Sequence, residues 1–172
     1  MKKVTIAGTE FVWGSRTYLM GVINVTPDSF SGDGLMRQND WILRAVEHGK
    51  EQEKEGADIL DVGGESTRPG STPLSLQEEL DRVIPVIERL SKEVHVPISI
   101  DTYKSEVAMH ALDAGASIIN DVWALSRDSK MASVAAQYKA PLILMHNRSR
   151  PQNATQQDDL GGRYIGIEYK DI

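Results

Sequence analysis

The stretch "VPISIDTYKSEVAMHALDAGASIINDV", residues 96–122, decides the fold. It begins as a β-branched run (96–102), turns into a helical pattern over 103–114, meets Gly115 as a helix stop, and closes on a second β-branched run (116–122). Strand, helix and strand in that order predict a right-handed βαβ unit and a parallel sheet covered by helices.

The alternation extends in both directions. Further strands are predicted at "YLMGVINV" (18–25), "ADILDVGG" (57–64) and "APLILMH" (140–146), which makes five. The clearest helix runs from Leu76 to Lys92, where Leu76, Leu80, Val83, Ile84, Ile87 and Leu90 recur at spacings of three and four and form one apolar stripe. Ser75 with Glu78 three residues on is a capping box, and Pro85 inside the pattern removes a hydrogen bond and predicts a kink. Other helices are predicted over 38–55, 103–114 and 129–139, with Gly56 and Gly115 as C-terminal stops.

Two architectures fit, a doubly wound open sheet and a (β/α) barrel. No G-x-G-x-x-G follows the first strand, so a dinucleotide site has little support. Polar residues stand at the carboxyl end of every strand: Asn24, the run "GGESTRPGS" (63–71), Asp101 with Thr102, Asn120 with Asp121, and Met145-His146-Asn147. A single such residue is commonly a turn former or helix cap. Five in register at one face fit a barrel mouth, because all barrel strands point their carboxyl ends the same way. A barrel needs eight units and about 250 residues, so the expectation is a (β/α)8 TIM barrel truncated after about the fifth strand, with residues 1–172 as a single domain incomplete at its C-terminus.

Composition narrows the function. A formal charge of -6 argues against a general nucleic-acid or acidic-membrane surface, and the absence of cysteine rules out disulfides and thiolate metal sites. The opening "MKKVTIAGTEFVWG" breaks its apolar run at Gly8, Thr9 and Glu10, and no 18-residue apolar stretch follows, so the expected location is cytoplasmic. The loop in "GVINVTPDSFSGDG" (21–34) and the one at 65–73 exceed the usual length of a βα connection and read as lids over a site.

The motifs "GVINVTPDSFSGDG", "DILDVGGESTRPGS", "ISIDTYKSEVAMHALDAGASIINDV" and "LILMHNR" closely resemble those of dihydropteroate synthase, the folate-pathway target of sulfonamides, from about residue 4 to 150. That resemblance implies an enzyme that joins 4-aminobenzoate to 7,8-dihydropterin-6-ylmethyl diphosphate, releases pyrophosphate, uses Mg²⁺ and forms a homodimer when complete. It assigns pterin binding to Asp101 and Asn120, metal and diphosphate contact to Asn24, and diphosphate contact to Thr67 and Arg68. The chemistry agrees with those assignments. A buried carboxylate accepts paired ring N–H donors, an amide suits a mixed edge, and the guanidinium fork of Arg68 fits phosphate oxygens.

Other residues stay open between two readings. Asp33, near the tip of the first long loop, is either an acidic group close to the reacting cation or a solvated turn former. Asp61 either lines the pocket or satisfies backbone donors. His146 is left out of catalysis, and His48, His95 and His110 are read as helix-associated. Arg148, Arg150, Asn153, Arg163 and the run "TQQDD" read as a solvated loop, and "GIEYKDI" as the first turn of a helix. The family's later motifs, including a lysine and an arginine-histidine pair, have no counterpart here, which suggests that the fragment alone is inactive. Rival readings are a pterin-binding methyltransferase domain and an inactive pterin-binding homologue. The first has no diphosphate to hold, so "TPDSF" and "STRPG" discriminate against it.

Overall fold

The computed structural model describes residues 2–25, 40–65 and 73–146, and the backbone of 155–157 and 163–165. Its elements are β1 (Lys2–Ile6), β2 (Thr9–Trp13), β3 (Met20–Asn24), α1 (Asp40–Lys54), β4 (Ile59–Gly63), α2 (Leu76–Glu93), β5 (Ile98–Asp101), α3 (Ser105–Asp113), β6 (Ile118–Asp121), α4 (Met131–Tyr138), β7 (Leu142–Leu144), β8 (Thr155–Gln157) and β9 (Arg163–Ile165).

The five expected strands form one parallel sheet in the order β3-β4-β5-β6-β7. Strict sequential order settles the choice between architectures. A doubly wound sheet reverses direction at a switch point, whereas each strand here adds to the same side of the one before it. The fold is α/β, with five consecutive strands of a TIM barrel. Strands β3 and β7 are the edges of this sheet, and Leu19, Met20, Val22, Leu144 and Met145 beside them are exposed, as the five-strand count predicts.

Helices α1 to α4 cover one face. Ile23, Leu60, Val62, Ile100 and Ile119 pack there against Val46, Val83, Ile87, Leu90, Val107 and Met131 in one buried core. Helix α2 begins as read: the Glu78 N–H donates to Ser75 Oγ at 3.3 Å, and the Ser75 N–H donates to Glu78 Oε2 at 2.9 Å. Ser75→Ala is therefore expected to lower stability by about 1 kcal/mol in urea denaturation. Helix α2 continues through Pro85 for all 18 residues. Gly115 ends the turn after α3 with φ +117°, and a Cβ there would stand 2.5 Å from Ser91 Cβ. Both the backbone and the space demand glycine.

Two antiparallel pairs were not expected. Strands β1 and β2 pair through a two-residue turn, Ala7 and Gly8, at φ +46° and +83°. Positive φ at both positions is the I′ geometry that matches strand twist. The pair β8 and β9 corrects the reading of Thr155–Gln157 and Arg163 as loop, because Gln157 pairs with Arg163 and Thr155 with Ile165, while Asp158 and Asp159 of "TQQDD" lie outside the described residues. Residues 166–172, read as a helical turn, lie outside the described residues, as do Arg148, Arg150 and Asn153.

The β1–β2 hairpin lies against the other face of the parallel sheet. Ile6 and Phe11 are buried with Ile59 and Ile118, and Val4, Tyr18 and Ile143 pack around them. Phe11, Trp13 and Tyr18 cluster with ring centroids 5.0 to 5.6 Å apart, Phe11 stacked on Trp13 and Tyr18 tilted or edge-on to both. Arg16 fastens the connection to β3, its Nη1 donating to Asp58 Oδ2 at 2.8 Å, while the Leu19 N–H donates to the same oxygen at 2.9 Å. The hairpin thus covers apolar residues of the inner face, including Ile59 and Ile118 at the starts of β4 and β6, and leaves the carboxyl ends open.

Candidate active site

Parallel register places the strand ends in one row: Asn24 opposite Gly63, Gly63 opposite Asp101, and Asp101 opposite Asn120. Alternation along each strand puts Asp61 and Ser99 on that same inner face, two residues deeper. Asn24 is exposed on the edge strand, two strand spacings or about 10 Å from Asp101. Gly63 stands between them without a side chain, which keeps the row open.

The centre of the row is rich in acceptors. Asn120 Nδ2 donates to Asp61 Oδ2 at 3.0 Å. Asp61 Oδ1, Ser99 Oγ and Asp101 Oδ1 are buried without hydrogen-bond partners. Burial pushes the Asp61 carboxyl above its ordinary value, opposed by the nearby Ser99 hydroxyl, which does not reach hydrogen-bond geometry, and by the Asn120 amide. Asp101 is pushed up to about 7, first by burial and then by the charges of Asp61, Glu79, Asp121 and Glu65. Unpartnered carboxylate oxygens facing a mouth call for a ligand that brings N–H donors.

A second cluster flanks the row. Glu65 accepts from Lys104 Nζ at 2.6 Å, from Tyr103 Oη at 2.9 Å and from the Leu74 N–H at 3.2 Å. Lys104 also donates to Glu79, which is 1% exposed on α2. Burial opposes the charge on Lys104, but its bonds to Glu65 and Glu79 outweigh that and hold its pKa above the usual lysine value. Lys104 is thereby committed to these two carboxylates rather than to Asp101. Asp121 is buried at the end of β6 and accepts the N–H groups of Trp123 and Leu125, both at 2.8 Å. Those bonds hold a turn in which Ala124 and Leu125 both have positive φ.

Of the residues predicted from sequence, the structure brings Asp101 and Asn120 together as neighbours and adds Asp61 to them. Asn24 stands at the same level on the edge. Asp33, Thr67 and Arg68 lie outside the described residues. Glu65 and Asp121 were read only as strand-end residues, and Glu79 and Lys104 were missed, although Glu79 falls four residues before Val83 on the buried stripe and so carried a signal. Among the described residues no group of three or more His, Asp or Glu is arranged to hold a metal ion. No helix among them is long and apolar enough to cross a membrane.

The mouth of the parallel sheet presents buried carboxylates and an amide, a donor set suited to a small ligand rich in N–H groups. Residues 20–164 match the family described as pterin binding enzyme, and the chain belongs to that family. It is 48% identical over 155 residues to the dihydropteroate synthase of Clostridium beijerinckii, covering 90% of this chain and 56% of that protein. With the dihydropteroate synthase of Bacillus subtilis it shares 57% identity over 133 residues, 77% of this chain and 46% of that one. The chain thus spans about half the length of the curated relatives it matches. Among solved structures, the Xanthomonas albilineans dihydropteroate synthase with 4-aminobenzoic acid superposes with a TM-score of 0.76 at 47% identity, over 84% of this chain and 52% of that one.

Proposed function

We infer that the chain supplies the N-terminal part of a dihydropteroate synthase of folate biosynthesis, a transferase that condenses 7,8-dihydropterin-6-ylmethyl diphosphate with 4-aminobenzoate. The observation that carries this reading is the acceptor row of Asp61, Asp101 and Asn120, buried in its depth and open at its mouth. The relatives named above support it. They disfavour the methyltransferase alternative, which has no diphosphate to hold. Residues 1–172 are read as one incomplete barrel domain, homodimeric when complete, cytoplasmic, and a sulfonamide target through its family.

In the reaction the C–O bond between the methylene carbon and the diphosphate breaks, and the electron pair leaves with pyrophosphate. The aniline nitrogen then forms the new C–N bond and loses a proton. Asp101 and Asn120 bind and orient the ring through charge-assisted and amide hydrogen bonds. Thr67 and Arg68 bind the departing anion, and lids that exclude water protect the electron-poor methylene carbon from hydrolysis. In the same reading the negative charge of Asp33 would favour that electron-poor carbon.

Mg²⁺ fits this donor set only as an ion shared with the diphosphate. It keeps several waters and takes one or two protein ligands besides substrate phosphates, and the side-chain amide of Asn24, an exposed residue at the end of the edge strand, would be the one to hold it. When bound there it would supply positive charge to the leaving group.

Arg68→Lys tests the diphosphate assignment. A point charge replaces a planar fork, so in the complete enzyme turnover is expected to fall about 10-fold or more while affinity for an oxidised pterin lacking phosphate changes little. Steady-state kinetics beside calorimetry separates the two. Equal losses in both would instead report a folding defect.

A further inference from the structure

We propose that Asp61 is a positioning residue: it grips the Asn120 amide by its nitrogen, across the intervening strand, so that Asn120 Oδ1 faces the mouth and the pocket reads a ring N–H at that point. The proposal rests on the pterin reading of the site and adds to it which atom of the amide meets the ligand, and why.

Asp61 is on β4 and Asn120 on β6, with β5 between them, so the bond joins residues 59 apart in sequence and two strand spacings apart in space. About 10 Å of sheet separates such backbones. An aspartate and an asparagine bridge that gap only over a small residue. Ser99, in register with Asp61 and fully buried, is that residue, and Asp101 lies beyond it in register with Asn120.

The polarity of the bond follows from chemistry. An ionised carboxylate only accepts, so the amide must offer Nδ2, as the 3.0 Å contact has it. Without a partner, the terminal torsion of asparagine is broad and nearly two-fold, and oxygen and nitrogen would both visit the mouth. Asn120 Oδ1 has no hydrogen bond among the described residues, which leaves it as the acceptor presented to a ligand. Folding alone does not account for Asp61. It is 4% exposed, its second oxygen has no hydrogen-bond partner, and one amide is poor compensation for burying a carboxylate.

The test uses the full chain and 7,8-dihydropterin as the titrant. Asp61→Asn keeps the shape but removes the charge and lets residue 61 donate as well as accept, so the Asn120 amide is no longer held with its nitrogen inward. Affinity is expected to fall about 10-fold, the worth of one hydrogen bond. The exchanged pair, Asp61→Asn with Asn120→Asp, restores the bond with donor and acceptor swapped and again leaves an oxygen facing the mouth. It is expected to recover affinity to within about 3-fold of the parent, a coupling that a merely structural role does not produce. Parent-like binding by Asp61→Asn overturns the proposal, and so does an exchanged pair that melts like the parent but fails to recover. Solvent exchange of the Asn120 side-chain amide in the unsubstituted chain gives an arm that needs no variant: protection is expected, and exchange as fast as that of an exposed amide overturns the proposal. Unchanged dihydropterin affinity in Asn120→Ala would remove the pterin reading instead, a result distinct from either failure of Asp61.

Discussion

Lys104→Met is expected to lower the stability of the fold by about 3–5 kcal/mol, the cost of removing one partner from a buried ion pair. The lysine side chain is 18% exposed, and its partners Glu65 and Glu79 are 11% and 1% exposed. Methionine keeps most of the apolar stem but leaves two carboxylates without their cation. Of the two, Glu65 still has Tyr103 and the Leu74 N–H as donors. Glu79 lies within α2, surrounded by core, so it accounts for most of the loss. Lys104→Met combined with Glu79→Gln should therefore recover more than half of it, because removing both charges spares the uncompensated one. Urea denaturation of the two variants decides the matter. A loss below about 1 kcal/mol in the single variant would mean that solvent screens the pair as it does at surfaces.

Asp101→Asn is expected to move binding and stability in opposite directions. The amide can no longer accept two charge-assisted bonds, so pterin affinity should fall by about 1.5–3 kcal/mol in calorimetry. Stability behaves otherwise. The native carboxyl is held up to about 7 by burial and by Asp61, Glu79, Asp121 and Glu65, while the unfolded chain releases its proton near the usual 3.8. Between those values the native state binds more protons, so this group's contribution to stability is full below the lower value and is lost as pH rises towards 7. Asparagine removes that loss. At pH 8 the variant should be more stable than the parent by up to about 4 kcal/mol, with little gain at pH 4. Equal effects at the two pH values would show that the proton on Asp101 is not the cause. In the pterin reading, the parent keeps a costly carboxylate at the position that meets the ring.

The parallel sheet was legible because its signals are local and repeated. Each strand is a short β-branched run, each of α1 to α4 follows a helical pattern, and the Ser75–Glu78 box marks a helix start by sequence alone. Asp101 and Asn120 could be read because they end such strands. The β1–β2 hairpin was hidden by its composition. Lys2 and Lys3 dilute the alternation, and the turn is Ala-Gly in place of the Asn-Gly that signals a I′ turn. The pair β8–β9 consists of three-residue strands rich in polar side chains, which give no period to detect. The Glu65–Lys104–Glu79 cluster and the Asp61–Asn120 bond were out of reach for another reason. They join segments 25 to 59 residues apart, and only the sheet register brings them together.

The hairpin that covers the lower inner face also sets a schedule for synthesis. Phe11 is made early and ends with none of its surface in water, yet the residues that bury it include Ile59, Ile118 and Ile143. At roughly 5–20 residues per second, a nascent chain holds that aromatic group for on the order of ten seconds before its last partner leaves the ribosome. The ribbon itself closes in microseconds. A lone two-stranded ribbon is marginal in water, so until β4, β6 and β7 are made its apolar side is uncovered, and that side is the surface a chaperone would hold.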